Sequence, residues 1–263
     1  MFSNLTNLFN QFTQDPIFFL IKIWAILFAL ICHEVAHGFV AKKCGDPTAE
    51  MLGRLSFNPL KHLDPIGTAC MLLFGFGWAK PVPVNPRNFR NYVKDDLFVS
   101  LAGITANLCL FLISTFLMTL FNQFIFTAEG KQMFDIFYGR DFFLSMKQNG
   151  FYLMYSGVTK DAFSDFLAAG WLLPIQRFLA VFSTLNLGLA VFNLLPIPPL
   201  DGYHVVNDIV LKGRFRLTQK TYYIFKAALF MICFGTGIVT SIMSTVEQFV
   251  QSNVVSFFLL LIH

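Results

Sequence analysis

Charge is what this chain has least of. Only 13% of its 263 residues are Asp, Glu, Lys or Arg, where soluble domains carry roughly 25%. Hydrophobic residues make up 56%, and the mean hydropathy is +0.61. Too little polar surface remains to cover a water-soluble globule, so a soluble fold is excluded and a polytopic membrane protein is expected. A formal net charge of +4 gives no reason to expect a nucleic-acid partner. Cysteine is sparse and scattered: Cys32, Cys44, Cys70, Cys109 and Cys233 form an odd set without a CxxC pair, which excludes a disulfide framework. The first sixteen residues hold no Lys or Arg, so they lack the basic region of a cleavable signal peptide. Internal repeats, low-complexity tracts and heptads are also missing.

Long apolar runs are there instead. A spanning helix needs about 20 apolar residues, and four segments qualify: Pro16–Ala41, Leu97–Thr127, Phe166–Leu195 and Tyr222–Val246. Two shorter pieces, Ile66–Trp78 and Val254–Ile262, are too short to span alone and read as re-entrant or interfacial. The expected fold is an all-α polytopic membrane protein with about four spanning helices, forming one membrane-embedded domain over 1–263 with its core at about 17–210. Cations set the orientation. Residues 42–96 and 203–221 are rich in Lys and Arg, residues 1–16 have none, and residues 127–165 are near neutral. The N-terminus is therefore expected outside and the two basic stretches in the cytoplasm. That parity requires 42–96 to leave and return on the cytoplasmic side.

Inside the first apolar run, residues 33–37 read His-Glu-Val-Ala-His. On a helix, positions i and i+4 share a face, so His33 and His37 can hold one Zn²⁺ while Glu34 activates its water. Ionisable groups are expensive in hydrocarbon and are functional candidates by default. A zinc site needs a third protein ligand and one open position. The second unusual segment is Asn193-Leu194-Leu195-Pro196-Ile197-Pro198-Pro199-Leu200-Asp201-Gly202. Its prolines break a helix, and irregular backbone at membrane depth lines a cavity or lies buried in protein. Asp201 is its one ionisable group, either a ligand or the cap of a helix ending at the interface. The expected topology weighs toward a ligand, because the first and third spans run the same way and end at the same leaflet. Zn²⁺, one Asp carboxylate and one hydroxide also sum to zero charge, the least costly cluster at low dielectric.

HExxH in a first transmembrane helix and NxxPxPxLDG late in another resemble the site-2 protease family of intramembrane zinc metalloproteases. Gly53–Gly67 (GRLSFNPLKHLDPIG), Gly77–Asn85 (GWAKPVPVN) and Ala102–Asn107 (AGITAN) are similar to motifs of its compact prokaryotic branch, without PDZ or CBS domains. Ile104 stands where that family usually has proline. The resemblance implies one zinc per chain on His33, His37 and Asp201, with Glu34 as general base. It implies that Asn107, and Asn193 likewise, stabilises the substrate or the tetrahedral oxyanion. It further implies a transmembrane protein substrate, and the expected topology puts the site toward the cytoplasmic leaflet of the cell membrane.

Leu55 and Phe57 alternate with Ser56, a pattern that can form a short β element at 53–58 for an extended substrate to pair with. His62 reads as a structural interfacial histidine, and His204 as a turn residue or a neighbour of the site. A zinc-binding protein without protease activity, such as a transporter, would place polar residues along successive helices, and the last expected span has none near its centre. A scaffold binding transmembrane partners would have no need of Glu34.

Overall fold

The computed structural model describes residues 13, 15–65, 67, 79–130, 132, 136, 168–215, 217–235 and 238–262. Its long helices are α1 (Pro16–Lys43), α2 (Tyr92–Ile125), α3 (Leu173–Asn193), α4 (Asp201–Val210), α5 (Gln219–Gly235) and α6 (Ile238–Ile262). Among the described residues there is no strand, only an isolated antiparallel bridge between Leu63 and Ala79. The all-α expectation holds, and three helices are long and apolar enough to cross a membrane: Pro16–Lys43, Tyr92–Phe121 and Gly170–Asn193.

Each of these helices begins at a local signal. Asp15 caps α1 by accepting the Phe18 N–H, Pro16 follows at the first position, and Lys42 and Lys43 close the last turn. That order suits the helix dipole and the orphan N–H groups at the start. Asn91 caps α2 through the Lys94 N–H, so α2 starts five residues ahead of the expected Leu97. Pro174 sits in the first turn of α3, where its missing N–H is no loss.

Contacts at the ends give the directions. Asp15, at the start of α1, pairs with Arg177 in the early turns of α3 at 2.7 Å. These two helices therefore run parallel. α2 runs against both: Val99 near its start packs on Ala41 and Cys44, and Met118 further along accepts the Gln176 amide of α3 at 3.0 Å. α2 is the central helix, packed on α1, α3 and α4. Ala25 and Ala29, with no exposed surface, let α1 approach Val181 and Phe182 of α3.

The expected fourth span, Tyr222–Val246, falls on α5 and α6, and residues 236 and 237 lie outside the described residues. Two expectations change. The short piece Val254–Ile262 is the last part of the 25-residue α6. The β element at 53–58 is also absent, because its backbone groups are tied up locally. Gly53 has φ +63°, the His62 ring donates to the Ser56 carbonyl at 2.7 Å, and Asn58 caps a 3₁₀ turn at Pro59–Lys61. The expected re-entrant piece Ile66–Trp78 lies almost wholly outside the described residues. Its flanks are held together by the Leu63–Ala79 bridge and by the Lys80 N–H donating to the His62 carbonyl at 2.8 Å.

Candidate metal centre

Four turns into α1, His33 and His37 lie one above the other, their rings edge to face with centroids 4.6 Å apart. Their Nε2 atoms are 3.0 Å from each other, and Asp201 Oδ2 lies 3.3 Å from each of them. Three helices bring these atoms together. α1 supplies the imidazoles, α4 supplies Asp201 as its first residue, and α2 closes the other side. Asp201 is not a cap: Leu200 holds that position, without a side-chain bond. The proline-broken stretch after α3 folds back so closely that a Cβ on Gly202 would sit 2.2 Å from the Leu194 carbonyl oxygen. Only glycine fits there, and that return aims Asp201 at the histidines.

The donor set fits zinc. Arms of about 2.0–2.1 Å at a tetrahedral angle put neighbouring ligand atoms roughly 3.3 Å apart, close to the separations found. Asp201 Oδ2 is buried and without a hydrogen-bond partner, an expensive condition for a carboxylate oxygen unless a cation meets it. Among the described residues, His33, His37 and Asp201 are the one His/Cys/Asp/Glu group close enough to hold a metal ion.

Glu34 follows His33 on α1, and its Oε2 accepts the Val82 N–H at 2.7 Å. Val82 belongs to an extended stretch pressed on α1: a Cβ on Gly38 would meet Val82 at 2.8 Å and Leu55 at 2.6 Å. The stretch is anchored by Asp46, which has no exposed surface. Asp46 accepts from the Asn85 N–H at 2.6 Å, the Asn88 amide at 2.7 Å, and both the hydroxyl and the N–H of Thr48. Burial alone would raise its pKa, but these donors hold the carboxyl below its ordinary value. Arg54 adds bonds to the carbonyls of Lys80 and Pro81 at 2.8 and 3.1 Å.

α2 faces the histidines with a row spaced four residues apart. The Val99 carbonyl accepts from His37 Nδ1 at 2.7 Å. Gly103 leaves the space: a Cβ there would lie 2.4 Å from His37 Nε2 and 2.5 Å from His33 Cε1. Asn107, with no exposed surface, puts its amide 3.2 Å from His33 Nδ1. Ile104 is buried within the unbroken α2. Asn193 ends α3, and its amide donates to the Leu189 carbonyl at 2.9 Å. His62 is buried in its loop on Ser56. His204 lies beside the site and bonds Asp96 of α2 at 3.1 Å.

The sequence reading missed Asp46, Val82 and Gly103. Gly45-Asp46-Pro47-Thr48 carries a readable turn signal for the first. No local signal marks the other two, whose importance comes from what lies across from them.

The model of peptidase family M50 matches residues 21–235. A curated relative from Bacillus subtilis (strain 168), named "Putative zinc metalloprotease YwhC", is 37% identical over 212 residues, 80% of this chain and 78% of the relative. No solved structure matches. HExxH on a membrane-length helix, an Asp returned to it by a proline-broken loop, and a family match over most of the chain agree: the chain belongs to peptidase family M50, the site-2 protease family of intramembrane zinc metalloproteases.

Proposed function

We propose that this chain hydrolyses peptide bonds in or near transmembrane segments of membrane proteins, using one Zn²⁺ held by His33, His37 and Asp201. The observation that carries the reading is the convergence of two Nε2 atoms and one unpartnered carboxylate oxygen beside Glu34. When bound, the metal supplies a water of lowered pKa and polarises the scissile carbonyl. Glu34 is the general base. It takes the water's proton and passes it to the leaving nitrogen. The Val82 N–H fixes one Glu34 oxygen, which orients the carboxylate and leaves the other for proton transfer. Asn193, half-buried at the end of α3, would meet the backbone of an incoming substrate, a role that rests on its place in the family's motif. The enzyme lies in the cell membrane with its N-terminus outside and the centre toward the cytoplasmic leaflet, as cation asymmetry and the parallel α1 and α3 support.

Glu34→Gln tests it. The side chain keeps its shape but cannot accept the proton, so turnover of a single-span membrane substrate should fall by at least ~10²-fold while bound zinc stays as in the wild type. Cleavage at the wild-type rate by this variant would overturn the mechanism. Comparing membrane proteomes with wild-type and Glu34→Gln chains expressed would supply the substrate.

A further inference from the structure

The row Val99–Gly103–Asn107 on α2 presents one polar group to each imidazole. His37 has its partner, since Nδ1 donates to the Val99 carbonyl and leaves Nε2 free as a ligand. His33 needs the same. A neutral imidazole that ligates through Nε2 carries its proton on Nδ1, so Nδ1 needs an acceptor opposite. The group there is the Asn107 amide at 3.2 Å, with Nδ2 facing His33. That orientation suits the other tautomer, with the proton on Nε2, 3.0 Å from His37 Nε2. The acceptor is on the same amide: Asn107 Oδ1 is buried without a hydrogen-bond partner. A half-turn about Cβ–Cγ exchanges two nearly isosteric ends and offers Oδ1 to Nδ1–H.

We propose that Asn107 is the positioning residue for His33, selecting through its carboxamide oxygen the tautomer that leaves Nε2 free for the metal. This rests on the ligand set proposed above. Asn107 acts through His33 rather than on the substrate, and its full burial agrees with that. Gly103 fits the same design, because any side chain there would push α2 away and carry both acceptors out of reach.

The test is zinc affinity of the purified full-length chain, measured by competition with a chromophoric chelator. Asn107→Leu keeps the volume and removes the acceptor, so its affinity should drop about 10–100-fold, as when partners of metal-bound histidines are lost. Asn107→Asp keeps an acceptor that cannot turn the wrong way, so its affinity should match or exceed wild type even where turnover changes. An oxyanion role makes the opposite forecast, with turnover lost and zinc affinity unchanged in Asn107→Leu. That result, beside a His33→Ala chain that loses zinc, overturns the positioning role alone. If His33→Ala binds zinc like the wild type, the ligand set falls and the inference falls with it. Should Asn107→Leu fail to fold, Asn107→Asp decides: affinity weakened tenfold or more refutes the inference.

Discussion

At the scale of single residues, the groups that make up the candidate centre were legible and their supports were not. His33, Glu34 and His37 announce themselves by spacing, and Asp201 as the one charge in a proline-broken segment. Gly103 and Asp46 matter only because of what the fold places against them, from α1 in one case and from residues 85–88 in the other. Gly103→Ala would put a methyl within 2.4 Å of His37 Nε2. We expect zinc to fall below one equivalent and turnover to drop about 10²-fold, the typical consequence of a misplacement near 1 Å. Elemental analysis and a cleavage assay check this. Asp46→Ala leaves four donors without their acceptor and should cost about 1.5–3 kcal/mol, read in a denaturation series. The Asp46 carboxyl titrates below its ordinary value in the fold, so its stabilisation is fully present above pH ~4. It is lost as pH falls through the lowered value, and acid should melt wild type but have less effect on Asp46→Ala.

At the scale of elements, the apolar runs gave α1, α2 and α3 to within a few residues at most ends, since burial in lipid and helix formation ask for the same pattern. The joint between α2 and α4 was invisible, being made of contacts distant in sequence. His204 bonds Asp96, and buried Asp208, one turn further along α4, has neither oxygen hydrogen-bonded. Burial first, then the charge of Asp96, pushes the Asp208 carboxyl up to about 6, against a smaller opposing pull from His204. Burial would lower His204, but the bond to Asp96 and the charges of Asp96, Asp208 and Asp201 carry it above its ordinary value. Both shifts have one sign. The stabilisation is fully present below the unfolded pKa values and lost as pH rises, through about 6 for Asp208 and above ordinary histidine values for His204. The joint should therefore be tighter in mild acid than at pH 8. Asp208→Asn should raise the melting temperature at pH 8 and leave it unchanged near pH 4, and equal shifts at both would remove Asp208 as the cause. Between α2 and α3, the Thr115–Ser183 hydroxyl pair at 2.6 Å should be worth about 0.6 kcal/mol, measurable as the cost of Thr115→Val.

At the scale of the whole molecule, the parallel α1 and α3 with an antiparallel α2 between them put Asp15 and Arg177 at one end and the metal centre toward the other. Cysteines introduced at Asn4 and Asn88 should label from opposite sides of intact membranes, Asn4 from outside. Labelling of both from one side would overturn the proposed orientation. The general architecture was readable from composition because a chain with so few charges has only the bilayer to fold in. The platform at 45–65 and 79–91 was not, because its geometry comes from hydrogen bonds between loops. One feature of the centre bears on how such an enzyme can change over generations. At Gly103 the centre is walled by bare main chain, with an imidazole nitrogen 2.4 Å from where a side chain would begin. A main-chain wall offers mutation nothing to vary, since every substitution there thickens the wall inward. New preferences among targets must arise elsewhere, and the loop beside the centre supplies candidates: Phe57 and Leu60 stand 62% and 78% exposed, free to be exchanged without touching the chemistry.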